Sequence, residues 1–253
     1  MITDAGKLVA GRTLAAGLGT HIAVGVGSGA PTVGDTDLEF EVYRSEIRIR
    51  SYDPETQRVV LAATVPNDIE LIISEVALLT TPSESGTIGM LTSFADDLAA
   101  WTGGTVETDN MRVSSSGLTV ALGTASMNSG RFNDMANIQQ SDYIDVAYFG
   151  AGGNVEIKLK NTDTDYYTFS FPVQAGYNIY SVPVYDLTAT GTPMLNSVVG
   201  MDITHSGTGS VTMDAVRVRS EIGDETLVLR QVLTEPFHKI EGMPLDIEVP
   251  VVI

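Results

Sequence analysis

The sequence predicts a mainly β protein whose central stretch is a β-sandwich or jelly roll. Three observations predict it. Apolar and polar residues alternate at Ile47-Arg48-Ile49-Arg50, and again at Leu245, Ile247, Val249, Val251 and Ile253, where Asp246 and Glu248 intervene. A period of two marks strands with one buried face. From about residue 117 to 219, short apolar runs recur between Gly-Gly, Asn and Asp turns, at the spacing of sandwich strands. Helical periodicity is absent from that stretch.

Length and composition bound the rest. A chain of 253 residues holds one large or two ordinary domains, and 43% apolar content supplies their cores. No stretch approaches the roughly 18 unbroken apolar residues of a membrane span. The early Asp4, with no basic segment leading into a long apolar run, gives no expectation of a secretory signal. Cysteine does not occur, which excludes disulfides and thiolate metal sites. The formal net charge of -18 excludes electrostatic binding of nucleic acid, whose phosphates would be repelled. Lys7, Lys158, Lys160 and Lys239 are the lysines among fourteen basic residues. That acidity fits either a high-salt habitat, where screening relieves self-repulsion, or an ordinary surface kept soluble by charge.

Near the N-terminus, Ile22-Ala23-Val24 opens as a short strand and runs into Gly25, Gly27 and Gly29. Glycines at this density supply backbone freedom where side chains cannot fit, and predict a tight turn. A GxGxG run after a strand suggests a dinucleotide site, but that fingerprint needs GxGxxG opening a helix. Here Ala30-Pro31 follows, and Asp35 and Asp37 would repel phosphate. Residues 59–65 (VVLAATV) and 71–79 (LIISEVALL) read as strands, bounded by turns at Asp53-Pro54 and Pro66-Asn67-Asp68. Further strands are expected at 117–122, 143–149, 154–160, 166–172, 178–185, 198–204 and 210–219. Residues 227–233 (LVLRQVL) read as a strand and Glu235-Pro236-Phe237-His238-Lys239 as a corner. Pro250 has no ladder donor, which places the final strand at a sheet edge.

Ile22, Gly25, Gly27, Pro31, Asp35, Thr36, Leu38, Glu41, Val42 and Arg44 together resemble the N-terminal attachment domain of tailed-virus tail-collar and tail-fibre proteins. Glu39-Phe40 is bulkier than that family's pattern. By the same resemblance, residues 3–17 (TDAGKLVAGRTLAAG) correspond to a short opening helix, and Ile73 to Leu79 with the Gly86 turn to a hairpin. The family's ending does not follow residue 91 and arrives at the C-terminus instead. The resemblance therefore implies a split β-rich attachment domain, residues 1–91 and 223–253, interrupted by an insertion at 92–222. Insertions of this kind are tolerated at loop tips.

The insertion carries four landmarks in order. They are Phe94-Ala95-Asp96-Asp97-Leu98-Ala99-Ala100-Trp101, Tyr143-Ile144-Asp145-Val146, Phe171-Pro172-Val173-Gln174-Ala175-Gly176-Tyr177-Asn178, and the run from Gly209 to Val218. They resemble jelly-roll, galactose-binding-like carbohydrate-binding modules, with Tyr177 in place of the usual tryptophan and Ala95 in place of an acid. The resemblance implies that Asp214 helps hold a structural calcium with Asp96 or Asp97. Calcium takes six to eight oxygens in irregular geometry; the alternative is that Asp214 caps a turn. Sugar rings stack on aromatic faces flanked by polar groups. Tyr143, Tyr148, Tyr166, Tyr167 and Tyr177 are the candidates, some of them core residues. Tyr166 and Tyr167 are adjacent, so they point to opposite faces and one is expected to be exposed.

His21, His205 and His238 show no metal spacing and read as turn or surface residues. The chain has no GxSxG elbow and no cysteine nucleophile, and plentiful carboxylates do not by themselves make a glycosidase pair. No enzyme is expected. The resemblances imply a structural virion protein of a tailed virus, a tail-fibre or baseplate component. It would be a homotrimer, bound to other tail proteins and displaying a glycan-binding domain to the host, without nucleic acid or membrane insertion. The alternatives are a spacer without sugar binding and a polysaccharide-degrading tailspike. Against the latter stand the short chain and the lack of a repetitive β-helix pattern.

Overall fold

The computed structural model describes residues 4–80, 86–87, 90–94, 100–127, 138–219 and 226–252. The chain divides into two compact units, Met1–Thr87 with Ile222–Ile253, and Ile88–Glu221. It is mainly β, with the α-helix Asp4–Gly17 and two short 3-10 helices, Val184–Asp186 and Leu195–Ser197, among the described elements, and no helix there is long and apolar enough to cross a membrane.

The first unit opens with α1 (Asp4–Gly17). Strands β1 (His21–Gly25), β2 (Glu41–Glu46), β3 (Ile49–Asp53), β4 (Arg58–Val65), β5 (Leu71–Thr80) and β6 (Gly86–Thr87) follow. The C-terminal segment adds β19 (Thr226–Lys239) and β20 (Leu245–Val252), numbered in chain order. One antiparallel sheet runs β19-β5-β1-β2-β6 and the other β20-β4-β3. β5 lies between β19 and β1 and is buried almost throughout, which its near-continuous apolar sequence anticipates. β20 is an edge strand, as Pro250 requires.

Two strand expectations for this unit are corrected. The alternation Ile47 to Arg50 is not one half-buried strand. Ile47 is buried and donates its N–H to Thr20 O at 2.9 Å, whereas Ile49 is 60% exposed and Arg50 points inward. Arg50 is recruited by the end of α1. Its guanidinium donates to Ala15 O at 3.0 Å and Gly19 O at 2.8 Å, satisfying carbonyls that a helix terminus leaves open. Nor is Glu235 to Lys239 a corner, because β19 continues through it. A bulge in the pairing with β5 between Val232 and Phe237 takes in Pro236, so the missing N–H costs no ladder bond.

In the second unit β7 (Met90–Ser93), β8 (Trp101–Thr102), β9 (Thr105–Glu107), β10 (Gly117–Val120), β11 (Gly123–Met127) and β12 (Tyr143–Gly150) come first. They are followed by β13 (Asn154–Lys160), β14 (Tyr166–Pro172), β15 (Gly176–Pro183), β16 (Thr188–Thr190), β17 (Gly200–Ser206) and β18 (Val211–Arg219). They form a sandwich of two antiparallel sheets. The first is β15-β12-β18-β10-β9, with β7 also on β18, and the second is β16-β14-β13-β17-β11-β8. Every second residue enters the shared core, including Ile144, Val146 and Tyr148 from β12, Val155, Ile157 and Leu159 from β13, and Met201 and Ile203 from β17. The rings of Phe171 and Tyr180 stack across it at 4.3 Å.

The short connections β10–β11, β12–β13, β14–β15 and β17–β18 each cross from one sheet to the other. His205 ties two of them together. Its Nδ1 lies 2.6 Å from Ala121 O and its Nε2 2.9 Å from Gly152 O. His205 and His21 are buried, not the turn or surface residues expected.

Candidate functional site

Because side chains alternate along a strand, the outward face of the second sheet can be assembled from its ladder register. Directly opposed outward residues form one continuous row, a residue from each strand: Thr188, Thr168, Lys158, Asp202, Ser126 and Thr102. With strands about 4.8 Å apart, the row spans about 24 Å. On one side of it Tyr166 stands between Thr190 and Lys160, and on the other Glu156 stands between Ser170 and Thr204. No apolar side chain interrupts the row.

The charges on this face are paired, one pair open to solvent and the other largely covered. Lys158 Nζ lies 4.9 Å from the centre of the Tyr166 ring and 3.7 Å from Glu156 Oε1, with both side chains partly exposed. Lys160 Nζ lies 2.7 Å from Asp202 Oδ1. The face therefore offers the Lys158 ammonium, the Glu156 carboxylate and hydroxyls able to donate and accept, beside one aromatic ring, while Lys160 is buried.

The five candidate tyrosines do not make one platform. Tyr166 is the outward member of the adjacent pair. Tyr167 turns to the core, where its hydroxyl donates to Pro193 O at 2.9 Å. Tyr148 is 2% exposed, packs 5.2 Å from Phe171 and accepts the Gln174 N–H, so it has no face for a sugar. Burial pushes its phenol pKa up. Tyr143 and Tyr177 belong to the first sheet, where Arg219 lies 4.5 Å over one ring and Arg112 4.3 Å over the other. Sequence reasoning missed Lys158, Glu156, Asp202 and the hydroxyl row. For Glu156 and Lys158 the signal was present in the alternation of residues 154–160 (NVEIKLK), whose polar members had to face out.

A second cluster surrounds Asp214, which sits at a register shift between β18 and β12 and is fully buried. Its Oδ2 accepts the N–H groups of Arg112 and Val113, both at 2.8 Å, and the Tyr177 hydroxyl at 2.7 Å. Two successive backbone donors are what a turn cap would receive. Its Oδ1, however, is buried with no hydrogen-bond partner. Burial pushes the carboxyl pKa up against the pull of the Val113, Arg112 and Ser114 backbone N–H groups and the Tyr177 hydroxyl. An orphaned, buried carboxylate oxygen is costly unless a cation or a proton meets it, and Oδ1 is open to either. Asp96 and Asp97 lie outside the described residues, and among those described no group of three acids or histidines could hold a metal by itself.

No protein-family model and no curated protein sequence matches the chain. Among solved structures it is similar to the family 11 carbohydrate-binding module of Clostridium thermocellum in complex with a β-1,3-1,4-mixed-linked tetrasaccharide. That match has 11% identity and a TM-score of 0.39, over 53% of this chain and 98% of that one. A carbohydrate-binding module specific for non-crystalline cellulose matches at 17% identity and a TM-score of 0.34, over 53% and 96% of the two chains. The enzymatically active domain of tailspike protein 4 of bacteriophage CBA120 matches at 12% identity and a TM-score of 0.32, covering 51% of this chain and 21% of that one. All three TM-scores are below 0.5.

Proposed function

We propose that the second unit binds a linear glycan along the outward row of its second sheet. The observation that carries this is the row itself. Six polar side chains at strand spacing repeat at a distance comparable to one pyranose of an extended chain. Tyr166 and Lys158 beside them can take a sugar's C–H face and its hydroxyls. The proposal has no catalytic step. Calcium at Asp214, completed by Asp96 or Asp97, would stabilise the unit and not touch the glycan. The first unit would attach the protein to a viral tail or baseplate as a homotrimer, so that weak single sites gain avidity. What supports the tail role is the sequence resemblance running from Ile22 to Arg44.

One observation favours the spacer alternative. Tyr143, Tyr166 and Tyr177 each have a cation over the ring already. The deciding experiment is retention of the full chain on host-surface polysaccharides, wild type against Lys158→Ala and Tyr166→Ala. Loss in both variants with unchanged melting supports the row. A wild type that retains no glycan leaves the spacer.

A further inference from the structure

The glycine run of the first unit takes no part in glycan binding, yet its geometry is specific. Glu75 lies in the apolar strand β5 at 0% exposure, where an unpaired carboxylate would be very costly. Its Oε1 accepts the N–H of Gly27 at 3.0 Å and of Phe40 at 2.9 Å. Its Oε2 accepts the Glu39 N–H at 3.1 Å and Arg230 Nε at 2.9 Å. Glu39 Oε2 in turn accepts the N–H groups of Ser28 and Gly29 at 2.9 and 2.8 Å. Backbone donors converging in this way form an anion-receiving concavity.

The glycines are there for room. None of Gly25, Gly27 and Gly29 has a positive φ. A Cβ on Gly25 would stand 2.6 Å from Glu75 Oε1, one on Gly27 2.5 Å from the same atom, and one on Gly29 3.0 Å from Glu39 Oε2. Arg230 closes the arrangement from β19, donating also to Asp35 Oδ2 at 2.6 Å and Gly29 O at 3.1 Å.

We propose that the amides of Gly27, Glu39 and Phe40 form a carboxylate-binding site whose resident ligand is the chain's own Glu75, with Arg230 as counter-ion. The site takes a small external carboxylate when that side chain is removed. It is selective for a two-oxygen anion, because Gly27 and Phe40 address one oxygen while Glu39 and Arg230 address the other.

The test uses the full chain and amide hydrogen exchange at Gly27, Glu39 and Phe40. In Glu75→Ala these amides should exchange at least tenfold faster. Formate should restore their protection saturably, and chloride at equal ionic strength should not. Glu75→Gln covers the case in which the alanine variant does not fold. Glutamine keeps an acceptor for Gly27 and Phe40 but presents an NH2 to the Glu39 N–H and Arg230. Protection should therefore be lost at Glu39 and kept at the other two. Equal exchange of the three amides in Glu75→Gln, or equal effects of formate and chloride on Glu75→Ala, overturns the proposal.

Discussion

Arg217 on β18 and Asp145 on β12 face each other with neither side chain exposed, Nε to Oδ2 at 2.8 Å. Arg219 Nε reaches the same oxygen at 3.0 Å, and the Ser181 hydroxyl donates to Oδ1 at 2.6 Å. Burial pushes the Asp145 pKa up, but the two guanidinium groups outweigh it and leave the carboxyl below its ordinary value. A depressed folded pKa means that this stabilisation is present above the unfolded value and is lost as pH falls through the folded one. The sandwich is therefore expected to lose stability in acid below about pH 4. Asp145→Asn should flatten that loss while costing about 3–5 kcal/mol at pH 7, since it leaves a buried arginine uncompensated. Trp101, the only tryptophan and a member of this core, reports the unfolding by fluorescence in urea. A variant with the wild-type acid profile would remove Asp145 from this role.

The tyrosines should separate into binding and folding classes. Tyr148→Ala removes a ring from a closed core and is expected to cost about 3–5 kcal/mol, the range for large aromatic truncations. Tyr166→Ala leaves the core intact and should change stability by no more than about 0.5 kcal/mol. If the row binds glycan, Glu156→Ala and Lys158→Ala should each weaken it by about 1.5–3 kcal/mol, the value of a hydrogen bond to a charged group. Melting temperature and glycan retention measured on the same variants check this. Binding losses that always track losses of fold would discard the row.

The same tyrosines show what the sequence could and could not convey. Alternation located β12, β13 and β14 closely, because an apolar side chain every second residue is a local property. It also fixed that Tyr166 and Tyr167 oppose each other. Which of them faces out depends on the partner sheet that supplies the core, and that is not local. The three glycines were legible as a place where side chains do not fit. The reason was not, since the atoms that need the space belong to Glu39, Phe40 and Glu75, the last of them 48 residues on from Gly27. Arg50 defeated the period-two pattern in the same way, because the end of α1 holds it inward. Asp214 was legible as a special acid through resemblance, but its orphaned oxygen is visible only once Arg112, Val113 and Tyr177 are in place.

Calcium makes a signed prediction at Asp214. A raised folded pKa means that, without an ion, stability is present below the unfolded value and is lost as pH rises through the folded one. A cation on Oδ1 removes that loss. Binding to the folded state alone adds RT ln(1 + [L]/Kd), about 2.7 kcal/mol at a hundredfold excess over Kd. Chelation at neutral pH should then lower the melting temperature of the wild type and leave Asp214→Asn where it was. If the two proteins respond alike to chelator, a buried protonated Asp214 is the better account.

The last prediction concerns the interruption of the first unit. Thr226 pairs with Thr80, and Arg230 reaches Glu75 and Asp35, so strands from either side of the second unit complete one sheet and one ion network. If that sheet is self-sufficient, residues 88–221 can be replaced by a short Gly-Ser connection and the remainder should keep its β circular-dichroism signal. The complementary truncation, a chain ending at 221, removes β19, β20 and the counter-ion of a buried carboxylate. Stranding one partner of a buried pair costs about 3–5 kcal/mol, a large share of the 5–15 kcal/mol that holds a typical domain. The first unit should therefore fail to fold in the truncated chain while Trp101 fluorescence still reports a folded sandwich. An unfolded excision variant would show that the first unit is not self-sufficient, and a truncated chain whose first unit stays protected from hydrogen exchange would show that it does not depend on β19 and β20.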